Sequence, residues 1–270
     1  MNDDTVYAEI LYRLRAIERE HDVQVLFAVE SGSRAWGFAS SDSDYDVRFV
    51  YKHRPEWYQS LWSDQKRDVI EPKISDKLDL SGWDVRKTLR LLRKSNPSFI
   101  EWTQSPIVYA NDGVFLSRVK EILPAVYSPR SSCAHYGSMA VANMREHLSG
   151  DSVKLKKYLY VLRPLLASKY VQAHRTPPPL PIVELLPMFG GDSQAMQALT
   201  DLIKKKASAG ELGVGEPIES LNDFIAAGLG TIHLFEETRD NREADRLVEE
   251  LYASTVYGRN SDNCRALVFC

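Results

Sequence analysis

Cysteine is scarce in this 270-residue chain: Cys133, Cys264 and Cys270 are widely scattered, too few for a disulfide framework and wrongly spaced for a zinc site. Long apolar runs are missing too, and nothing approaches the ~18–20 uninterrupted apolar residues that a membrane span needs. The opening Met1-Asn2-Asp3-Asp4 is acidic and lacks the basic-then-apolar order of a secretory signal. There is no internal repeat and no low-complexity tract. These absences predict a soluble, reduced, cytoplasmic protein. Its 44% apolar and 26% charged residues are ordinary for a globular chain, and the length allows one large domain or two smaller ones.

An excess of one charge is also absent, with 34 Lys+Arg against 37 Asp+Glu and a net charge of −3. Taken whole, that argues against a nucleic-acid partner. The distribution says otherwise. Residues 1–81 carry a net −5, residues 82–175 a net +9, and residues 176–270 a net −7. Acidic flanks hide a basic middle.

What is present falls into two styles. Residues 4–21 have Val6, Ile10, Leu11, Leu14 and Ile17 at helical spacing. Residues 23–29 read as a buried strand entering the small-residue turn Glu30-Ser31-Gly32-Ser33. Residues 45–51 alternate as a second strand, and a third ends near Leu78-Asp79-Leu80, paired with 67–71 as a hairpin. Ser81 with Asp84 three later reads as a capping box, starting a helix to Lys94 that Asn96-Pro97 stops before a short helix through Trp102. From Pro129 onward the patterns are helical, interrupted by the stiff connector Thr176-Pro177-Pro178-Pro179-Leu180-Pro181. The order predicts an α+β fold, with a strand-containing domain over 1–128 and a helical domain over 129–270.

The chemistry-bearing stretch is Gly32-Ser33-Arg34-Ala35-Trp36-Gly37, followed by Ser41-Asp42-Ser43-Asp44-Tyr45-Asp46 and an apolar strand. Side chains two apart on a strand face the same way, with Cα atoms roughly 6.6 Å apart, so Asp44 and Asp46 project together. Two carboxylates so placed call for a cation, and paired Mg²⁺ ions clamping a phosphoryl transfer are the natural occupants. Gly32-Ser33, at the start of a short helix, offers amides and a hydroxyl to a phosphate. Asp42 reads as a loop hydrogen-bonder, and Trp36, Trp83, His53 and His135 as ordinary packing or surface residues.

Gly32-Ser33, its spacer and Asp44-x-Asp46 resemble the DNA polymerase β-like nucleotidyltransferase superfamily. The stretches 32–37, 41–48, Leu80-Ser81-Gly82-Trp83-Asp84-Val85-Arg86-Lys87, Lys94-Ser95-Asn96-Pro97 and 156–166 are similar to predicted nucleotidyltransferases associated with bacterial RNA repair. The resemblance implies a small mixed sheet, a two-metal site (Mg²⁺ or Mn²⁺), and transfer of a nucleoside monophosphate from an NTP such as ATP with release of pyrophosphate. It implies that Gly32, Ser33 and Arg34 meet the nucleotide and that Asp44 and Asp46 bind metal. It also implies a third carboxylate, for which Asp79 is preferred over Asp84. Lys156, Tyr160 and Arg163 recur at offsets of four and seven on one helix face, able to grip phosphates and stack a base; Pro164 beside them predicts a kink or reset. Arg86, Arg90, Arg93 and Lys94 form a second cationic stripe that suits a phosphate backbone. The expected acceptor is an RNA 3′ end. A protein or small-molecule acceptor, or a silent nucleotide-binding protein, are the rival readings.

Overall fold

A computed structural model describes residues 3–74, 77–209, 212–233, 235–237 and 240–258; Cys264 and Cys270 lie outside them. Helix α1 (Asp3–His21) leads into β1 (Val23–Glu30), the one-turn α2 (Gly32–Ala35), β2 (Tyr45–His53) and α3 (Pro55–Gln59). Strands β3 (Val69–Ile70) and β4 (Leu78–Asp84) follow, then α4 (Val85–Arg93), α5 (Pro97–Gln104), β5 (Val108–Asn111) and α6 (Phe115–Val126). The second half contains α7 (Pro129–His147), β6 (Val153–Lys154), α8 (Lys156–His174), α9 (Ser193–Ala209), β7 (Val214–Gly215), α10 (Glu219–Gly230) and α11 (Asn241–Tyr257).

Five strands form one mixed sheet in the order β3-β4-β2-β1-β5. β1 and β2 are antiparallel, whereas β2 and β4 are parallel, pairing Tyr45 with Leu78 and Asp46 with Asp79. The fold is the α+β mixed-sheet arrangement expected. On one face Val6, Ile10, Leu14 and Ile17 of α1 cover Val47, Phe49 and Tyr51. The helical stripe of α1 thus meets the odd residues of β2, the two periodicities each offering one apolar face. On the other face α4, α5 and α6 bury Leu26, Phe27, Val29 and Val50. A separate core is built around α8, where Leu159, Leu162, Leu165 and Leu166 are fully buried.

Four details depart from the sequence reading. Residues 81–84 are not a helix start but the end of β4, buried on alternate sides, and β3 pairs with Gly82 and Trp83. Asp84 itself caps α4, accepting from the Arg86 amide at 2.8 Å and from the Tyr58 hydroxyl at 2.7 Å. Pairing on both sides outweighs the local capping pattern there. Helix α8 runs through Pro164 without ending, because its buried leucines hold it where one backbone hydrogen bond is lost. The short pair β6–β7 interrupts the helical half. Lastly, Ala244, Leu251 and Val256 of α11 are buried in the core beneath the sheet, with Leu116 and Val119 of α6, so the 129–270 segment does not pack as one contiguous helical unit.

The basic stripe on α4 has partners inside the molecule. Arg86 and Arg90 each reach Asp64 at 3.3 Å, and Arg93 pairs with Asp245 of α11. His135 is exposed. His53 stacks on Trp57, with ring centroids 4.1 Å apart, and burial together with the nearby Lys66 charge lowers its pKa to about 4. A depressed histidine pKa stabilises the fold fully above the unfolded value of ~6.5 and loses that stability as pH falls toward the folded one. The denaturation midpoint of the wild type should therefore fall between pH 7 and pH 4.5 by more than that of His53→Gln, as measured by urea titration at both pH values.

Candidate active site

The end of β1 turns sharply into β2's neighbourhood. Gly32 has φ +59°, and a Cβ placed there would lie 2.0 Å from Oδ2 of Asp46. Glycine is required on both counts: the left-handed backbone and the contact distance. The Ser31 amide donates to the Asp46 carbonyl at 2.8 Å, and the turn is closed by Trp36 N–H to Gly32 O at 2.9 Å and Phe38 N–H to Ser33 O at 3.0 Å. Ser33 is thereby fixed and buried.

Asp44 lies just before β2 and is exposed, while Asp46 is half-buried one strand repeat later. Burial raises the Asp46 pKa, Arg48 opposes the rise, and Asp79 and Asp44 add to it. Asp46 thus feels the charge of both Asp44 and Asp79. Asp79 stands beside Asp46 in the parallel register. Asp84, its rival, sits five residues away at the other end of β4 and is consumed by capping.

Arg48 was overlooked in the sequence, although it follows Asp46 by two and so shares its face. Its Nη2 donates to Asp46 Oδ1 at 3.1 Å and to Asp79 Oδ2 at 2.8 Å. Glu30 was also missed. Fully buried at the end of β1, it accepts from the Asp46 amide at 2.8 Å and from the Tyr109 hydroxyl. Burial pushes its pKa up to about 7. No short-range pattern marks Glu30, whose contacts arise only by strand pairing.

The helical half completes the cleft. Ser33, Asp44, Asp46, Lys156, Tyr160 and Lys206 line one cavity of about 90 Å³. Lys156 and Tyr160 come from the first turns of α8. Lys206 comes from α9, 5% exposed and with its ammonium 4.8 Å from the Phe38 ring. It lies in a Lys204-Lys205-Lys206 run that had no pattern to single it out. The enclosed volume suits a phosphoryl-sized group, not a whole nucleotide, for which pockets on the order of 300–1,000 Å³ are usual.

Two predicted nucleotide contacts are placed elsewhere. Arg163 does not reach the cleft. It is 2% exposed and pairs with Glu101 at 2.7 Å, donates to the Leu180 carbonyl at 3.1 Å, and lies 4.5 Å from the centroid of a Trp36 ring. Seven residues along a helix amount to ~10 Å of rise, which carries the same face from the open mouth of the cleft into the core. Arg34 points to the far side of the loop, donating to the Ser43 carbonyl at 2.9 Å and the Asp44 carbonyl at 3.2 Å while stacking on Tyr45.

The oxygen-only donor set of Asp44 and Asp46 fits a hard divalent cation. Among the described residues no group of three His, Cys, Asp or Glu is arranged to hold a metal ion. Arg48 engages the third carboxylate, Asp79, so the complete triad is not assembled.

A family model described as the RNA repair pathway DNA polymerase beta family (RlaP) matches residues 6–254. The chain belongs to that family. Its match includes every residue of the cleft, and the family is one of polymerase β-like nucleotidyltransferases. An uncharacterized protein of Bacillus subtilis (strain 168), YcgL, is 43% identical over 216 residues, spanning 80% of this chain and 82% of the relative. The crystal structure of a nucleotidyltransferase-like protein from Exiguobacterium sibiricum 255-15 aligns over 91% of this chain and 79% of that one, at 12% identity and a TM-score of 0.32, a likeness too slight to build on. No helix among the described residues is long and apolar enough to cross a membrane.

Within this family member the two arginine and lysine positions should separate by experiment. Lys206→Met keeps the apolar stem against Phe38 and should weaken NTP binding about tenfold with the unfolding midpoint nearly unchanged. Arg163→Met strands Glu101 in the core and should cost roughly 3–5 kcal/mol of stability, read by denaturant unfolding alongside an NTP titration.

Proposed function

We propose that the protein transfers a nucleoside monophosphate from an NTP to the 3′ hydroxyl of an RNA, releasing pyrophosphate. The observation that carries this reading is the meeting of Asp44 and Asp46 with Ser33, Lys156 and Lys206 in one cleft. Carboxylates on one wall and ammonium groups on the other are what a metal-bound triphosphate requires. Ser33 donates its hydroxyl to a phosphate, and Lys156 and Lys206 neutralise the pyrophosphate as it leaves. Tyr160, beside Lys156, gives the nucleoside an aromatic edge to pack on.

A divalent cation, Mg²⁺ or Mn²⁺, held by Asp44 and Asp46 supplies Lewis-acid polarisation of the phosphoryl oxygens. The acceptor oxygen forms a bond to the α-phosphorus as the bond to the bridging oxygen of the pyrophosphate breaks, and the hydroxyl proton passes to water. Arg48 holds Asp79 next to Asp46 and offsets the repulsion among the carboxylates, so that the Asp79 side of the cleft faces the incoming hydroxyl. The RNA acceptor is supported by the family's RNA repair description and by the basic middle of the chain.

Incubation with each labelled NTP, Mg²⁺ or Mn²⁺, and short RNAs or tRNA tests the reading. Label is expected on RNA. Label on protein favours the rival acceptor, and NTP binding without transfer favours a silent binder. Asp44→Ala combined with Asp46→Ala should lower transfer by roughly 10³-fold or more while the chain stays folded; undiminished transfer contradicts the cation site.

A further inference from the structure

A second, larger cavity of about 630 Å³ lies against the same loop. Its walls are Val6, Ala8 and Arg13 of α1, Arg34, Tyr45, and the Lys77–Leu78 segment entering β4. The loop from Ser41 to Tyr45 separates it from the carboxylate cleft. Ser41 and Tyr45 face the cavity, whereas Asp42, Ser43 and Asp44 face the cleft. At the start of β2 the strand register accounts for the split between Tyr45 and Asp46. Tyr45 pairs with Leu78 and Asp46 with Asp79, so successive pairs point to opposite faces of the sheet.

We propose that this cavity takes the acceptor RNA strand next to its reacting 3′-terminal nucleotide. The inference rests on the transferase reading above and adds where the acceptor lies. In-line displacement places the attacking and leaving oxygens on opposite sides of the α-phosphorus. The leaving side is marked by Ser33, Lys156 and Lys206, which leaves the Asp79 side for the acceptor. Lys77 and Leu78 immediately precede Asp79, and the Tyr45 amide donates to the Lys77 carbonyl at 2.7 Å, so the cavity wall and the Asp79 carboxylate adjoin at the start of one strand, on its two faces, and the 3′ end passes from one to the other around that strand start.

The wall chemistry matches a nucleotide. The Arg34 guanidinium lies 3.7 Å from the Tyr45 ring centroid and is pinned by the Ser43 and Asp44 carbonyls. A held guanidinium plane is a stacking surface for an unpaired base. Val6, Ala8 and Leu78 supply the apolar remainder. Arg13 and Lys77 flank the cavity, held by Glu9 at 2.7 Å and Asp42 at 3.4 Å. Such partly exposed pairs are worth little, and a phosphate can take over either cation. Because Arg34 also fixes the backbone of Asp44, an occupied cavity braces the loop that carries the cation ligands.

The test uses the full chain and a ten-nucleotide single-stranded RNA with 4-thiouridine next to its 3′ end, irradiated with Mg²⁺ and a non-hydrolysable ATP analogue. Crosslinks are expected on residues 5–13, Tyr45 or Lys77. In parallel, Arg13→Ala and Lys77→Ala should each raise KM for RNA about tenfold and leave KM for NTP within about twofold. Crosslinks confined to α8 or α9, no crosslink above background, or a rise in KM for NTP instead would each overturn the assignment. Binding of the ATP analogue without RNA is measured separately. If it binds, Lys206→Met weakens it and labelled-NTP incubation puts label on RNA, the transferase reading stands and a negative crosslink overturns only the acceptor assignment; if the wild type neither binds the analogue nor transfers label, that reading fails first.

Discussion

The contact on which the rest of the structure depends is the buried ion pair between Glu101 and Arg163. Its members come from α5 and α8, one from each half of the chain. Glu101 also accepts from the Trp36 indole at 3.0 Å and the Tyr136 hydroxyl at 2.8 Å, and Arg163 reaches the Leu180 carbonyl in the proline-rich connector. Trp36 belongs to the Gly32–Gly37 turn, and its carbonyl accepts from the Ile182 amide at 3.0 Å. One network therefore ties the Gly32–Gly37 turn, the helix bearing Lys156 and Tyr160, and the connector to a single buried point. Burying such a pair is expensive, and an apolar replacement is often as stable. What the pair contributes here is position: it fixes which cations face Asp44 and Asp46.

Charge segregation acquires a physical meaning from the same geometry. The basic middle of the chain is spent largely on the chain itself. Arg93 meets Asp245, Arg86 and Arg90 meet Asp64, and the Glu237 carboxylate caps α7 by accepting from Ser128 and from the Arg130 amide. The acidic C-terminal third thus supplies partners to the basic middle, and α11 returns to the sheet core to do so. Lys156 and Lys206 share the cleft with Asp44 and Asp46, and Arg13 and Lys77 at the α1 cavity pair with Glu9 and Asp42.

Much of this was legible in the sequence, and the exceptions share a cause. The β1–turn–β2 unit could be read because alternation, small residues and paired aspartates are all local signals. The sequence reading ends a strand near Leu78–Leu80, whereas β4 begins there and runs parallel to β2, which sets Asp79 beside Asp46. Ser81–Asp84 was misread because a capping pattern and an alternating strand are both satisfied by the same residues, and only pairing with β2 and β3 decides between them. Arg163 was assigned to the cleft because helical offsets give direction but not depth. Glu30 and Lys206 carry no local mark, the first placed by strand pairing and the second by the packing of α9 against Phe38, whereas Arg48 could have been read from its i+2 spacing to Asp46.

The central claim is that the two halves form one triphosphate site, with the cation on the β2 aspartates and the phosphates against α8 and α9. A crystal structure of the full chain with a non-hydrolysable NTP and Mg²⁺ measures this directly. The account predicts metal density on Asp44 and Asp46, with the β- and γ-phosphates between Ser33 and the ammonium groups of Lys156 and Lys206. A triphosphate bound in the α1 cavity, or metal density away from both aspartates, would contradict it.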